Sequence, residues 1–189
     1  MILSPSKTTL IAIGANARNG TSGNLGAVRD AIDRVAGLGR VCSVSGFWRT
    51  PAWPAGSGPD FVNACLVLES DHAPEDVMEG LHRIEAAMGR QRLRRWGPRV
   101  IDLDLLACGD RVLPDHATLD RWMTLSTELQ AQEAPDRLIL PHPRLHERAF
   151  VLVPLAEIAP DWWHPVLGRS VAEMAAGLDP AAGAEMQRL

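Results

Sequence analysis

Asp102 and Asp104 stand two residues apart in the segment RWGPRVIDLDLL, whose second half has the alternation of a β-strand. Residues i and i+2 of a strand face the same way, roughly 7 Å apart along the chain. Both carboxylates would then face outward while Ile101, Leu103 and Leu105 face the core. Such a pair can share two Mg²⁺ ions about 3.5–4 Å apart, as in two-metal phosphoryl chemistry. The alternative is a solvated sheet face, where acidic residues are common.

Arginines are concentrated immediately before this acidic pair, at five of the ten positions from 90 to 99. Guanidinium groups so close together repel one another unless an anion or solvent compensates, and their planar forks suit phosphate oxygens. A metal-bridged polyphosphate accounts for both sets of charge, whereas a solvated loop accounts for the arginines alone. Trp96, among them, either packs in the core or offers a flat surface to a ring. The arginines are Arg90, Arg92, Arg94, Arg95 and Arg99.

Asn63 and Phe61 fall on one face of a predicted strand over 61–69, beside Thr50-Pro51. An amide that pairs and an aromatic ring that stacks suit a flat polar ligand, although Asn63 can equally be an exposed strand residue. The glycines after the first predicted strand fit no phosphate-loop motif, so they indicate a flexible turn.

His142 and His146 have the i, i+4 spacing of a metal-binding pair, but Pro143 lies between them. Zinc also needs a third ligand nearby. The sequence therefore disfavours zinc and leaves His142 better suited to a phosphate group.

Hydrophobic periodicity predicts the order strand, helix, strand, strand, helix, strand, which is typical of an α+β ferredoxin-like βαββαβ sandwich with an antiparallel sheet. The first helix is predicted to begin at an N-cap at Asn24, and the second to open at Pro74 and stop at Gly89. Additional C-terminal elements include a helix interrupted by Pro154 and a short helix capped by Ser170. The predicted ranges are 8–13, 24–38, 41–49, 61–69, a polar, partly helical insertion at 114–137, a helix at 147–158 and a frayed tail from 180.

Composition predicts one folded domain over residues 1–189, with 46% hydrophobic and 22% charged residues. The net charge of −4 gives no reason to expect nucleic acid or an anionic membrane as a partner. Three cysteines without a CxxC pair indicate reduced thiols rather than a disulfide framework. The first residues lack the pattern of a signal peptide, so we expect a cytoplasmic protein.

Taken in order, the motifs of the chain resemble the 6-hydroxymethyl-7,8-dihydropterin pyrophosphokinase family of folate biosynthesis. The resemblance extends over nearly the whole length, and the RWGPR…DLD block is its most specific part. The matching segments are 13–16 (IGAN), 47–51 (FWRTP), 59–64 (PDFVNA), 84–85 (IE), 89–92 (GRQR), 95–99 (RWGPR), 102–104 (DLD), 140–143 (LPHP) and 147–150 (ERAF).

This resemblance implies a ferredoxin-like fold, ATP and two Mg²⁺ ions as partners, and transfer of a pyrophosphoryl group to the pterin with release of AMP. The implied catalytic residues are Arg92, Arg95, Asp102 and Asp104, the two aspartates being the metal ligands. The implied ATP-binding residues are Glu85, Arg92, Arg95, Arg99, Leu105, Arg137, His142 and Arg148. The implied pterin-binding residues are Gly14, Thr50, Pro51, Trp53, Phe61, Asn63, Trp96 and Phe150.

The chain departs from the family pattern at Trp53, where leucine is frequent, and at Phe61, where tyrosine also occurs. The resemblance gives the insertion at 114–137 no catalytic role, and we expect a monomer. Another magnesium-dependent nucleotidyl or phosphoryl transferase, or a phosphohydrolase, would use the same aspartates and differ in its products. An RNA-binding module is disfavoured by the net charge of −4 and by the lack of an aromatic RNA-binding strand motif.

Overall fold

An antiparallel sheet forms the middle layer of the fold. The computed structural model describes residues 7–17, 20–52, 58–89, 100–126, 129 and 133–189. Within these residues the strands follow the order β5-β1-β4-β3-β8, and β2 also pairs with β4; β6 and β7 form a separate hairpin. The strands are β1 (Thr8–Ala15), β2 (Arg40–Val44), β3 (Trp48–Thr50), β4 (Phe61–Glu69), β5 (Asp102–Cys108), β6 (Trp163–His164), β7 (Arg169–Ser170) and β8 (Gln187–Arg188).

Helices connect the strands and cover both faces of the sheet. The first two helices each follow a strand, and β1 lies between β4 and β5, its antiparallel neighbours. This arrangement confirms the predicted ferredoxin-like βαββαβ topology. The helices are α1 (Gly20–Val35), α2 (Pro74–Ala87), α3 (His116–Thr124), α4 (Ala149–Ile158), α5 (Val171–Ala176) and α6 (Pro180–Ala184).

Strand alternation divides the buried side chains between two apolar layers. Ile11 and Ile13 of β1 belong to the layer under α1 and α2, whereas Leu10 and Ala12 belong to the layer under α4 and α5. Along β4 the same alternation places Cys65 in the second layer and its neighbours in the first. The predicted faces of the strand over 61–69 are therefore confirmed.

The predicted N-cap at Asn24 is wrong. Helix α1 begins four residues earlier, at Gly20, and Asn24 is a buried residue inside it, 1% exposed. The residues from 20 to 23, GTSG, have poor helix propensity, so their composition favoured a turn. Packing of Ala27 and Val28 against the sheet outweighs that weak local preference.

The single strand predicted over 41–49 is divided into β2 and β3 by residues 45–47. At the break, the Ser45 hydroxyl accepts a hydrogen bond from the Cys65 backbone N–H at 2.9 Å, and the Gly46 N–H donates to Glu157 Oε2 at 2.6 Å. At the break, two side-chain oxygens accept backbone hydrogen bonds that carbonyl groups would accept in a continuous strand ladder. A hydrophobic pattern carries no information about such side-chain acceptors.

The C-terminal residues also differ from the expected frayed tail. The structure instead gives helix α6, strand β8 paired with β3, and a backbone hydrogen bond of 2.9 Å from Leu189 N to Phe47 O. Within the insertion at 114–137, α3 begins at an Asp115 cap whose side chain accepts from Thr118 N at 2.8 Å. Among the residues described, no helix is long and apolar enough to span a bilayer.

His164 of β6 is a buried ring with 0% exposure. Its Nδ1 accepts backbone hydrogen bonds from Val166 at 3.3 Å and Leu167 at 3.2 Å, which stabilise the turn between β6 and β7. Burial, with a smaller contribution from the neighbouring His146, lowers the pKa of His164 from 6.5 to about 4. The folded chain therefore keeps this ring neutral in mildly acidic solution.

We expect the free energy of unfolding to fall as the pH drops from 6.5 towards 4, because the unfolded chain takes up a proton at His164 before the folded chain does. The full effect is up to about 3 kcal/mol. In His164→Asn, whose Oδ1 can accept the same hydrogen bonds without titrating, unfolding free energy should depend less steeply on pH over this interval. Urea unfolding at a series of pH values measures both slopes, and equal slopes would contradict the assignment.

Candidate active site

The candidate site begins with a row of residues across three strands. Gly14 of β1 is paired with Asp102 of β5 on one side and with Asn63 of β4 on the other. Directly opposed residues lie on the same face, about 4.5–5.5 Å apart at Cβ. This is the face that α4 and α5 cover further along the strands, over Ala12 and Cys65. The row therefore lies at the other end of that face.

Gly14 is required because the Asn63 amide lies against it. A Cβ at position 14 would stand 2.6 Å from Asn63 Oδ1 and 3.7 Å from Phe61 Cδ1. Asn63 Nδ2 donates to Thr50 Oγ1 at 2.7 Å, and both side chains are almost fully buried. The structure thus brings Gly14, Thr50, Phe61 and Asn63 together.

The aspartates of β5 face this same side. Asp102 and Asp104 are half-buried, whereas Leu103 and Leu105 between and after them are 3% and 1% exposed. The predicted outward direction of the carboxylates is confirmed. Asp104 Oδ2 lies 3.4 Å from Arg148 Nη1, with each side chain about a third exposed.

The donor set of the aspartate pair fits magnesium better than zinc. Among the residues described, no group of three or more His, Cys, Asp or Glu side chains is placed to hold a metal ion. Zinc sites need three or four such ligands. Magnesium is usually bound through one or two carboxylates and completes its coordination with water and substrate phosphates. The two partly exposed aspartates therefore supply enough protein ligands for a magnesium site.

His142 lies beside the aspartates as a neutral ring. Its backbone N–H donates to Leu106 O of β5 at 2.8 Å, and its Nδ1 accepts from Arg144 N at 3.1 Å. Burial, followed by the positive charge of Arg148, lowers the pKa of His142 to about 3, although the charge of Asp102 acts in the opposite direction. With Nδ1 accepting, the ring presents Nε2–H as a hydrogen-bond donor.

The other expected site residues occupy varied positions. Arg148 lies over the ring of Phe150 at 5.6 Å from its centroid, and Phe150 is 37% exposed. Pro51 is exposed beside Thr50. Arg137 is largely exposed and lies 3.5 Å from Asp136.

Two expected ATP-binding residues have side chains away from this face. Glu85 is 2% exposed on α2, and its Oε1 accepts from Leu103 N at 2.7 Å. The Leu105 side chain is 1% exposed in the layer under α1 and α2, so a nucleotide would reach only its backbone. The remaining expected residues lie outside the described part of the chain; they are Trp53, Arg92, Arg95, Trp96 and Arg99, together with Arg90 and Arg94 of the arginine cluster.

Glu157 supports the site and was missed by the sequence analysis. Its carboxylate accepts from Gly46 N at 2.6 Å and from Trp48 Nε1 at 3.1 Å, and it lies 3.5 Å from Arg188 Nη2. These bonds attach α4 to the start of β3, the strand that carries Thr50. An acidic residue in the last turn of an apolar helix interacts unfavourably with the helix dipole. This unfavourable position is the sequence feature that could have indicated a tertiary partner for Glu157.

These features define a ferredoxin-like α+β protein with a carboxylate pair next to a cluster of polar and aromatic side chains, an arrangement suited to phosphoryl-transfer enzymes. The family model of 7,8-dihydro-6-hydroxymethylpterin-pyrophosphokinase (HPPK) matches residues 10–160. The chain belongs to this family.

Relatives and solved structures agree with this membership. The chain is 36% identical over 169 residues to a 2-amino-4-hydroxy-6-hydroxymethyldihydropteridine pyrophosphokinase of Synechocystis sp., covering 86% of this chain and 76% of the relative. It is 42% identical over 142 residues to the protein of that description from Methylorubrum extorquens, covering 75% and 76%. Wild-type Plasmodium falciparum HPPK-DHPS with pteroate superposes with a TM-score of 0.62 at 13% identity, over 89% of this chain. This chain spans only 42% of that one, and the likeness shows the fold alone.

We expect Gly14→Ala to destabilise the chain by about 1–3 kcal/mol, because the new methyl group overpacks a closed contact. Its matched control is Gly26→Ala, an exposed helical position with nothing within 4 Å of the added Cβ; it should gain up to about 1 kcal/mol. Denaturant unfolding measures both, and the side-chain amide resonances of Asn63 should shift only in Gly14→Ala. An unshifted amide with unchanged stability would contradict the contact.

Proposed function

We propose that this chain transfers the pyrophosphoryl group of ATP to the hydroxymethyl group of 6-hydroxymethyl-7,8-dihydropterin and releases AMP, a step of folate biosynthesis. Membership of the pyrophosphokinase family supports the reaction and ATP as its co-substrate. The observation that carries the proposal is the pairing of Gly14 with both Asp102 and Asn63. This pairing supports a site in which carboxylates bind a metal–phosphate complex beside residues that bind a flat polar ring.

The pterin ring is proposed to occupy the pocket around Gly14. Phe61, which comes within 3.7 Å of the Cβ position of Gly14, offers a stacking surface, and Asn63 offers its amide edge. The hydrogen bond from Asn63 to Thr50 fixes the amide plane, so little ordering remains to be done on binding. From the family resemblance we assign Pro51, Trp53, Trp96 and Phe150 to the same pocket.

The triphosphate is proposed to lie over Asp102 and Asp104, which would hold two magnesium ions. When bound, magnesium neutralises charge on phosphate oxygens and so lowers the electrostatic barrier to attack. Arg148 presents a guanidinium beside Asp104, and His142, whose ring interacts electrostatically with Arg148 and Asp102, offers a neutral N–H donor. The family resemblance adds Arg92, Arg95, Arg99, the Leu105 backbone and Arg137 along the nucleotide. It also assigns Glu85 there, but the buried Glu85 carboxylate is bonded to Leu103 N instead.

In the proposed reaction, the hydroxymethyl oxygen of the pterin forms a bond to the β-phosphorus of ATP. The bond from that phosphorus to the oxygen shared with the α-phosphate breaks, AMP leaves with that oxygen, and the hydroxyl proton passes to solvent. Side chains contribute mainly position and charge stabilisation in such transfers. Asn63 orients the acceptor ring, while Arg148 and His142 donate hydrogen bonds towards the phosphate oxygens.

We also infer that residues 1–189 form one domain, and that the protein is a monomer of the cytoplasm. The three cysteines are free thiols, and Cys65 and Cys108 are buried. Burial raises the pKa of both thiols and keeps them unreactive. Free thiols of this kind are typical of a reducing compartment.

Product analysis tests the reaction directly. With ATP, magnesium and the pterin, we expect AMP to appear in step with a pterin diphosphate, and only when the pterin is present. ADP as the main product would mean attack at the γ-phosphorus. Phosphate released without pterin would mean a phosphohydrolase, and pyrophosphate with AMP attached to the acceptor a nucleotidyltransferase. Any of these three results would overturn the proposal, as would unchanged ATP.

We expect Arg148 to weaken the binding of free metal ions and to strengthen the binding of nucleotide. In the structure its guanidinium is a counter-ion of Asp104 at 3.4 Å. Arg148→Ala should therefore strengthen binding of free Mn²⁺ by up to about fivefold, the worth of a partly exposed ion pair, and weaken binding of ATP. Mn²⁺ electron paramagnetic resonance and calorimetry measure the two affinities.

Arg34→Ala serves as the control for this comparison, because it breaks an exposed ion pair with Asp30 on α1. Neither affinity should change in that variant. If Arg148→Ala moved both affinities in the same direction, the competition between Arg148 and metal for Asp104 would be wrong.

A further inference from the structure

Glu85 is a carboxylate inside an apolar layer. It lies in the last turn of α2 with 2% exposure, one helical turn from Leu81, which is fully buried. Burying a carboxylate is costly unless it is hydrogen-bonded. A glutamate at this position therefore points to a specific bond that offsets the cost.

The bond joins Glu85 to the strand of the aspartates. Its Oε1 accepts from the backbone N–H of Leu103 at 2.7 Å. That N–H belongs to the peptide between Asp102 and Leu103, and Leu103 separates the two aspartates. The distance of 2.7 Å is at the short end of the range for N–H···O hydrogen bonds.

Strand β5 needs such support because it lies at one end of the sheet. Among the strands described, it pairs only with β1. The outer N–H groups of an edge strand have no neighbouring strand to accept their hydrogen bonds, and Glu85 takes that role for Leu103. The ladder to β1 is also interrupted by a register shift between Leu10 and Ile11. The aspartate half of β5 is consequently paired with β1 through a short stretch, opposite residues 11–14.

We propose that Glu85 is a positioning residue for the aspartate pair, acting through the Leu103 N–H rather than by contact with the nucleotide. The inference rests on the proposed function, in which Asp102 and Asp104 bind the metal of the ATP complex. β1 holds the aspartate segment from one side, and Glu85 holds it from the other. Losing the second support lets the peptide between the carboxylates rotate, which changes their separation.

Two variants separate the hydrogen bond from the volume of the side chain. Glu85→Gln keeps an acceptor oxygen, whereas Glu85→Leu removes it at similar volume. Mn²⁺ binding, measured by electron paramagnetic resonance with a non-hydrolysable ATP analogue, should weaken about 10- to 100-fold in Glu85→Leu, the usual cost of losing support for a metal ligand. Glu85→Gln should stay within about threefold of wild type, and kcat should follow the same order. The KM for the pterin should change little, because its pocket lies on β1, β3 and β4.

Val77→Ala, in the same helix and 1% exposed, controls for lost stability. It should lower the melting temperature without weakening Mn²⁺ binding. Equal losses of Mn²⁺ affinity in Val77→Ala and Glu85→Leu would mean that Glu85 only packs the core, and would overturn the proposal. So would Mn²⁺ binding within twofold of wild type in Glu85→Leu, or a Glu85→Gln variant as impaired as Glu85→Leu. If circular dichroism shows Glu85→Leu unfolded, Glu85→Gln decides alone, and a tenfold loss in it overturns the role.

Asp102→Asn distinguishes failure of this inference from failure of the proposed function. Loss of Mn²⁺ binding in Asp102→Asn, with no loss in Glu85→Leu, would leave the metal site in place and remove only the role of Glu85. Retained Mn²⁺ binding in Asp102→Asn would remove the metal site, and the positioning role with it.

Discussion

The close contact between Gly14 and the Asn63 amide is the constraint on which the candidate site depends. A side chain at position 14 would fill the space that Asn63 Oδ1 occupies, 2.6 Å from the missing Cβ. Because position 14 has no side chain, the Asn63 amide of β4 can place its Oδ1 against Gly14 of β1. Its Nδ2 still reaches Thr50 on β3. Gly14 is also paired with Asp102 of β5. One small residue therefore permits the contact between Asn63 and Thr50 and lies directly beside a carboxylate.

The remaining elements complete the surroundings of the candidate site. Helices α4 and α5 cover the rest of the face, and Arg148 immediately precedes α4, where its guanidinium reaches Asp104. The loop that carries His142 is attached to β5 through Leu106 O. Residues distant in sequence thus reach one place because α4 and the loop of His142 both attach to β5.

Periodic features of the site could be predicted from sequence, since they depend on strand geometry alone. The outward direction of Asp102 and Asp104 follows from alternation with buried leucines, as does the shared face of Phe61 and Asn63. Motifs matching a known family supplied the rest of the assignment. Seven residues assigned to the arginine cluster or pocket lie outside the described part of the chain, and their roles stay predictions.

Features that depend on tertiary partners could not be predicted in this way. Glu85 was assigned to the nucleotide, and its bond to Leu103 depends on where α2 packs against β5. The division between β2 and β3 depends on Glu157, more than a hundred residues away. The start of α1 was misplaced because local propensity at GTSG is weak and packing decides.

The pairing of β8 with β3 has a consequence for the order in which the chain acquires its structure. Gln187 contacts Arg49 across 138 positions of sequence, so this contact has a high entropic cost of loop closure. During synthesis, β3 emerges long before its partner. Until residues 187–188 arrive, that border of the sheet offers unpaired backbone groups to other chains. A nascent polypeptide stalled before this point therefore exposes a strand edge that favours self-association, and pairing of β8 with β3 covers that edge.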